Sequence, residues 1–198
     1  MNQDLQKCTY LCTVTTVRDL PAAPAEVAFV GRSNVGKSSM INALCHPAKL
    51  ARTSKTPGCT RTINVYAVGR QGWLVDLPGY GYAVGPATSR ADWKDMIEGY
   101  LTGRPNLRCI FLIVDAKVGP TPLDHQMAEY LQTQSLRFRV LANKADQVKP
   151  SKTPLQKKNI AQALRISEAD LAWISATEGT QIPALRSEII RILADRLI

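Results

Sequence analysis

The sequence predicts an α/β fold, a mostly parallel central sheet flanked by helices on both faces. Three observations point there. Short β-rich runs alternate with amphipathic stretches along the chain, the order expected of strand–helix units. Several of the runs are apolar on both faces, as buried parallel strands should be. One of them, Glu26 to Val30, leads straight into a glycine-containing turn and then an amphipathic stretch, a strand–turn–helix unit.

The candidate strands are Glu26 to Val30, Ile63 to Val68, Gly72 to Asp76, Arg108 to Asp115, Arg137 to Asn143 and Ala172 to Ser175, with an earlier one placed in Leu11 to Val17. Helices are expected at Gly36 to Leu44, Ser89 to Leu101, Thr121 to Gln132, Pro154 to Leu164 and Ile182 to Leu197. In the last, Leu185, Ile189, Ile192, Leu193 and Leu197 form one stripe opposite Arg186 and Arg191, so it should pack on the core. Pro154 suits a first helical turn, where its missing N–H would be unpaired anyway. Two segments read as irregular: Cys45 to Thr62, and Leu77 to Thr88 with Pro78, Gly79, Gly81, Gly85 and Pro86.

A chain of 198 residues suits one domain with a sizeable core. The expected division is a single domain over residues 24–198, preceded by an N-terminal extension over residues 1–23 that adds a strand. A hydrophobic share of 45% with 21% charged residues excludes a disordered or fibrous chain. The longest apolar stretches, such as Cys109 to Val114, fall far short of the ~20 residues that span a bilayer. Met1 to Leu11 carries Asp4 and Lys7 and no apolar run behind a basic start, so a cytoplasmic protein is expected.

Five cysteines without a C-x-x-C pair argue against a disulfide framework or a structural zinc site. His46 and His125 stand alone and receive no role. The net charge is +9. It is uneven: between Glu26 and Asp76 no acidic residue occurs, whereas Arg32, Lys37, Lys49, Arg52, Lys55, Arg61 and Arg70 all do. Such a stretch favours nucleic acid over a solvated basic face that balances bound nucleotide phosphates, because Lys37 alone has an obvious nucleotide role.

The strongest motif is Gly31-Arg32-Ser33-Asn34-Val35-Gly36-Lys37-Ser38, followed by Ser39, a full G-x-x-x-x-G-K-S between a strand and a helix. Phosphates need many converging N–H donors. Glycines let the backbone wrap closely, and a helix start adds its positive end. Lys37 is expected to reach the β- and γ-phosphates and the Ser38 hydroxyl to ligate magnesium. Asp76-Leu77-Pro78-Gly79 follows an apolar strand, which puts a carboxylate where ligands of open α/β sheets bind. Asp76 should hold magnesium through water, and Gly79 should offer its N–H to the γ-phosphate.

Asn143-Lys144-Ala145-Asp146 ends another strand and matches N/T-K-x-D. Guanine presents N1–H and N2–H side by side, which one carboxylate accepts together, so Asp146 should select guanine over adenine. The Lys144 stem should lie along the base while Asn143 braces the site and the phosphate loop. Ser175-Ala176-Thr177 fits a further element whose alanine N–H would bond guanine O6. In Thr56-Pro57-Gly58-Cys59-Thr60-Arg61-Thr62, one threonine should complete the magnesium shell when a γ-phosphate is bound. Thr60 is preferred over Thr56 and Thr62. Lys37, Thr60 and Gly79 are thus the residues expected to act on the phosphate.

The chain resembles the EngB family (also called YihA or YsxC) of bacterial ribosome-biogenesis GTPases, in the superfamily that includes TrmE, Era, EngA and the septins. The carriers are Phe29 to Ser39, Lys55-Thr56-Pro57-Gly58, Asn64, and Asp76-Leu77-Pro78-Gly79-Tyr80-Gly81-Tyr82-Ala83. The resemblance runs over nearly the whole chain, and Pro-Gly-Tyr-Gly-Tyr is far more specific than a general GTPase box. It implies a Ras-like P-loop GTPase fold, a magnesium-dependent GTP/GDP cycle, association with the large ribosomal subunit or its rRNA, and a link to division septum formation. Two departures stand out. Cys59 replaces the family arginine, with Arg61 as a substitute, and Asn143 stands where the family often has threonine.

Tyr80 occupies the place where Ras-like switches keep a water-orienting glutamine, so slow unaided hydrolysis is expected. Asn34 sits where some related GTPases use asparagine to bind a potassium ion. A monomer is expected. Two other readings remain open. One is a GTP-gated RNA- or division-partner-binding module in which hydrolysis is incidental; the other is an ATPase or small-molecule kinase, which Asn143 to Asp146 disfavours. Candidate RNA contacts are Lys49, Arg52, Lys55 and Arg61, with Lys149, Lys152, Lys157 and Lys158 as a second cluster that reads better as a solvated helix face.

Overall fold

The structure, a computed structural model, describes residues 8–45, 50, 62–81 and 87–195. Seven strands form one sheet: β1 (Cys8–Val14), β2 (Glu26–Gly31), β3 (Ile63–Val68), β4 (Gly72–Asp76), β5 (Leu107–Asp115), β6 (Phe138–Asn143) and β7 (Leu171–Trp173), in the spatial order β1-β3-β4-β2-β5-β6-β7. The pairs from β4 through β2, β5 and β6 to β7 are parallel, and β1 with β3 and β3 with β4 are antiparallel. Among the described residues, five helices accompany it: α1 (Lys37–Leu44), α2 (Ala87–Gly103), α3 (Pro122–Thr133), α4 (Thr153–Ala163) and α5 (Ile182–Ala194).

The helices divide between the two faces, and strand alternation decides the division. On one face Val27, Phe29, Phe111, Ile113 and Leu141 pack with Met40, Ile41 and Leu44 of α1 and with Leu185, Ile189, Ile192 and Leu193 of α5. On the other, Ala28, Val30, Ile110, Leu112 and Val140 meet Ile97 and Tyr100 of α2, Ala128 and Leu131 of α3, and Ile160 of α4. Every residue of β2 is therefore buried, which explains the unbroken apolar run. Phe29 and Phe111 stack at 5.4 Å across adjacent strands in the first of these layers.

Many boundaries differ from the sequence expectation by one or two residues, as with β7, which ends at Trp173 and not Ser175, and α2, which begins at Ala87 and not Ser89; the first strand and the end of the last helix differ by three. The first strand begins at Cys8, not Leu11, and carries a bulge that leaves Leu11 unpaired between Tyr10 and Cys12; the extra residue breaks the period-two alternation. The last helix stops at Ala194, because Asp195 is extended at φ −61° and ψ 119°. Among the described residues, no helix is long and apolar enough to cross a membrane, and Cys8, Cys12, Cys45 and Cys109 are free thiols.

At one end of the sheet Glu26, fully buried, is met by the Tyr100 hydroxyl and by Arg104, whose Nε donates to Oε1 at 2.9 Å. At the opposite end the parallel strands β2, β4, β5 and β6 finish in Gly31, Asp76, Asp115 and Asn143. That edge is where an open α/β sheet gathers its ligand groups.

Candidate functional site

The loop after β2 turns sharply into α1. Asn34 adopts φ 64° and Gly36 φ 98°, the latter at the N-cap of the helix. Gly36 is needed twice over: its left-handed backbone favours glycine, and a Cβ there would collide with the Asn143 amide. Val35 is buried beneath the loop, whereas Asn34 and Ser39 are exposed. The loop is tied to the segment after β4 by the Ser33 N–H, which donates to the Tyr80 carbonyl at 2.9 Å, and by the Tyr80 N–H, which donates to the Gly31 carbonyl at 3.3 Å. Arg32 and Tyr80 thereby form a short parallel bridge.

Asp76 ends β4 and is 6% exposed. Ser38 Oγ donates to its Oδ2 at a long 3.5 Å, and its Oδ1, also buried, has no hydrogen-bond partner. Burial raises the carboxyl above its usual range, partly offset by the Lys37 charge and the Ser38 hydroxyl. A buried, under-satisfied carboxylate oxygen beside a hydroxyl is the hard-oxygen donor set that suits magnesium. Leu77 and Pro78 are buried, Leu77 anchored by its N–H to the Phe29 carbonyl at 3.1 Å. Gly79 then lies against the loop: a Cβ on it would stand 2.9 Å from Lys37 Nζ and 3.1 Å from the Ser33 nitrogen.

The base-side residues interlock with the same loop. Asn143 Nδ2 donates to the Val35 carbonyl at 3.0 Å, and its Oδ1 accepts the Ala176 N–H at 3.1 Å. One side chain thus fixes two loops that are far apart in sequence. Lys144, held at φ 65°, donates from Nζ to the Asn34 carbonyl at 3.1 Å and to Asp115 Oδ2 at 2.8 Å. The Ala145 N–H donates to the Ile174 carbonyl at 3.0 Å. Asp146 is exposed, and its Oδ1 accepts the buried Ser175 hydroxyl at 2.6 Å while that hydroxyl accepts the Glu178 N–H at 3.0 Å. A carboxylate held by one oxygen and open to solvent can receive paired N–H donors from a planar base. Thr177 is exposed beside it.

Asp115 was not singled out by sequence. Burial would push its carboxyl up, but the Lys144 ammonium and the Val118 and Lys117 N–H groups more than offset this and hold it below the ordinary range. Its one sequence signal is that, like Asp76, it is an acidic residue closing an apolar strand.

The structure therefore brings together Gly31 to Ser39, Asp76 to Gly79, Asn143 to Asp146 and Ser175 to Thr177 at one sheet edge. Thr62 is described, just ahead of β3. Gly58, Cys59, Thr60 and Arg61 lie outside the described residues, as do Thr56, Tyr82 and the basic residues Lys49, Arg52 and Lys55. Of the second basic cluster, Lys149, Lys152 and Lys158 are exposed and Lys157 sits 5.7 Å over the Trp173 ring.

Comparison with known proteins agrees with this geometry. The family model described as a 50S ribosome-binding GTPase matches residues 26–144. EngB GTP-binding proteins of Hyphomonas neptunium and Cereibacter sphaeroides are 41% and 40% identical to the chain, covering 92% and 91% of it and 86% and 85% of their own lengths. A crystal structure of an EngB GTP-binding protein superposes with a TM-score of 0.70 at 28% identity, covering 87% of this chain and all of the other. Era from Aquifex aeolicus, at 24% identity and a TM-score of 0.62, covers 87% of this chain and 57% of its own and shares the fold. A seven-stranded, mostly parallel sheet with a phosphate loop and an N-K-x-D segment at one edge, together with these relatives, identifies a Ras-like α/β fold, and the chain belongs to the EngB family of GTP-binding proteins.

Proposed function

We propose that the protein is a magnesium-dependent GTP switch that acts in assembly of the large ribosomal subunit and hydrolyses GTP slowly on its own. The observation that carries this reading is the convergence of Lys37, the Ser38–Asp76 pair and the Asn143–Asp146 segment on one sheet edge. In it Gly31 to Ser39 wrap the phosphates, Lys37 reaches the β- and γ-oxygens, and Asp146 selects guanine; the Ala176 N–H expected on guanine O6 is instead donated to Asn143 Oδ1 at 3.1 Å. Ser38 and, through water, Asp76 hold the metal, with Thr60 joining when the γ-phosphate is present. Magnesium bound there would supply charge neutralisation between the β- and γ-phosphates.

Slow hydrolysis is supported by Tyr80. Its side chain occupies the glutamine position, yet it is buried and its hydroxyl donates to Asp124 at 2.6 Å, so it orients no water. Potassium near the exposed Asn34 is the proposed source of the missing positive charge. Equal hydrolysis rates in potassium and sodium chloride would remove that part of the reading.

The ribosomal target is supported by the family's description as 50S-binding and by the chain's net charge of +9. The protein is proposed to be a cytoplasmic monomer over a single nucleotide-binding domain, with the link to septation following from the same cycle. The test is co-sedimentation with purified large subunits at physiological salt. Pelleting with a non-hydrolysable GTP analogue and not with GDP is expected. Absence in both states would overturn the ribosomal reading and leave a division partner in front.

A further inference from the structure

Tyr80 follows Gly79 directly, and its two halves are held by different parts of the molecule. The main chain belongs to the phosphate loop through the Ser33 N–H and the Gly31 carbonyl. The side chain runs the other way, 5% exposed, into the layer beneath α2 and α3. There its hydroxyl donates to Asp124 Oδ1 at 2.6 Å. Asp124 is itself 1% exposed, and its Oδ2 accepts the Thr121 N–H and hydroxyl, both at 2.7 Å, which forms the capping box that opens α3. Burial, and next the neighbouring carboxylate, push the phenol well above its ordinary range, so it remains a donor.

We propose that Tyr80 is a positioning residue for the γ-phosphate: its hydroxyl, anchored on Asp124, sets the place of the Gly79 main chain, and the same anchor makes the first turn of α3 respond to whether a γ-phosphate is bound. The inference rests on the GTP-binding reading above and deepens it. Gly79 lies against the Lys37 ammonium and the Ser33 nitrogen, groups that in the proposed reading would meet the terminal phosphate. A one-residue lever separates it from the phenol. The chain beyond is held as well: Gly81, at φ 86°, passes so close that a Cβ would lie 3.0 Å from Leu123 Cδ1 of α3 and 3.3 Å from Arg32 Cγ. Gly79 and α3 are thus joined by a short buried hydrogen-bonded path in which each group has a named partner.

GDP lacks the phosphate that Gly79 would meet, so loss of the anchor should separate the two nucleotides. A defect that were only structural would weaken both alike. Tyr80→Phe keeps the buried ring and deletes the hydroxyl. With magnesium present, its affinity for a non-hydrolysable GTP analogue is expected to fall about tenfold, the effect of losing one hydrogen bond to a charged group, while GDP affinity changes less than about twofold. Amide hydrogen exchange at Thr121 to His125 should differ between the analogue and GDP states of the wild type and lose that difference in the variant. Equal weakening of both nucleotides, or no weakening of either, overturns the proposal.

A second pair of variants covers the case in which Tyr80→Phe disturbs the start of α3. Asp124→Asn has one oxygen to share between the phenol and the Thr121 N–H, so its ratio of analogue to GDP affinity should fall between wild type and Asp124→Ala, which should lose it as Tyr80→Phe does. If Asp124→Ala keeps the wild-type ratio, the hydroxyl is not the anchor. Failure of the wild type to bind GDP at all would sink the GTP-binding reading itself, a result distinct from either.

Discussion

Asn143 is bonded to Val35 across the whole breadth of the site: its Nδ2 donates to the Val35 carbonyl at 3.0 Å, joining the end of β6 to the phosphate loop. The remaining lone pair of that amide holds Ala176. Asn143→Ala removes both bonds and opens a gap beneath Gly36, so two loops lose their common brace. Nucleotide affinity is expected to fall about 30-fold for GDP and GTP alike, from roughly 2 kcal/mol of lost bonding. Isothermal titration would read it. Asn143→Thr, which keeps an oxygen acceptor but shortens the donor, should fall between; a Thr variant weaker than Ala would argue against the bracing account.

Asp146 is fixed by one oxygen and open at the other, so its hydrogen-bond polarity decides which base it takes. Asp146→Asn exchanges an acceptor for an N–H donor. The altered edge no longer accepts two donors from guanine but matches a base with a carbonyl in place of the 2-amino group. Competition between GDP and xanthosine diphosphate should therefore invert, with guanine losing about 100-fold or more. An unchanged preference would mean that Asp146 does not face the base.

The Asp115–Lys144 pair carries a pH signature. The folded carboxyl titrates below its ordinary 3.8, so the pair's stabilisation is fully present above that value and is lost as pH falls through the lower folded value. Asp115→Asn keeps the backbone contacts and removes the charge. Its stability deficit against wild type, measured by urea unfolding, should be constant, about 1 to 2 kcal/mol, above roughly pH 5 and shrink as pH falls below about 4. A deficit independent of pH would show that the charge itself contributes nothing.

What the sequence made legible follows from where the information lies. Gly72–Asp76 stands where its apolar run places it, because burial on both faces leaves a nearly uninterrupted signature, and Ile63–Val68 does so although Asn64 and Ala67 are only half-buried. The first strand was displaced by three residues, since an edge strand with a bulge at Leu11 has neither continuous apolarity nor clean alternation. The phosphate loop and the N-K-x-D segment are local patterns, so they could be read directly. Asp115 and Asp124 could not. Their roles arise only when chain segments 29 and 44 residues apart meet, Lys144 on one and Tyr80 on the other.

The far end of β2 supplies a test of stability separate from the site. Glu26 is fully buried, and its carboxylate is satisfied by Tyr100 and by Arg104, whose guanidinium also donates to the Pro21 carbonyl at 2.8 Å and lies 6.0 Å over the Trp73 ring. Arg104→Ala would strand a buried charge with a single donor, at a cost of about 3 to 5 kcal/mol. Because the network lies at the opposite end of the strand from Gly31, GDP affinity of the folded variant should not change. Adding Glu26→Gln to Arg104→Ala removes the stranded charge and should restore at least half of the loss, a coupling that a double-mutant cycle in urea reads directly. A loss below about 1 kcal/mol for Arg104→Ala alone would mean that water or a proton reaches Glu26, and that the burial of this end of the sheet is less complete than its side chains indicate.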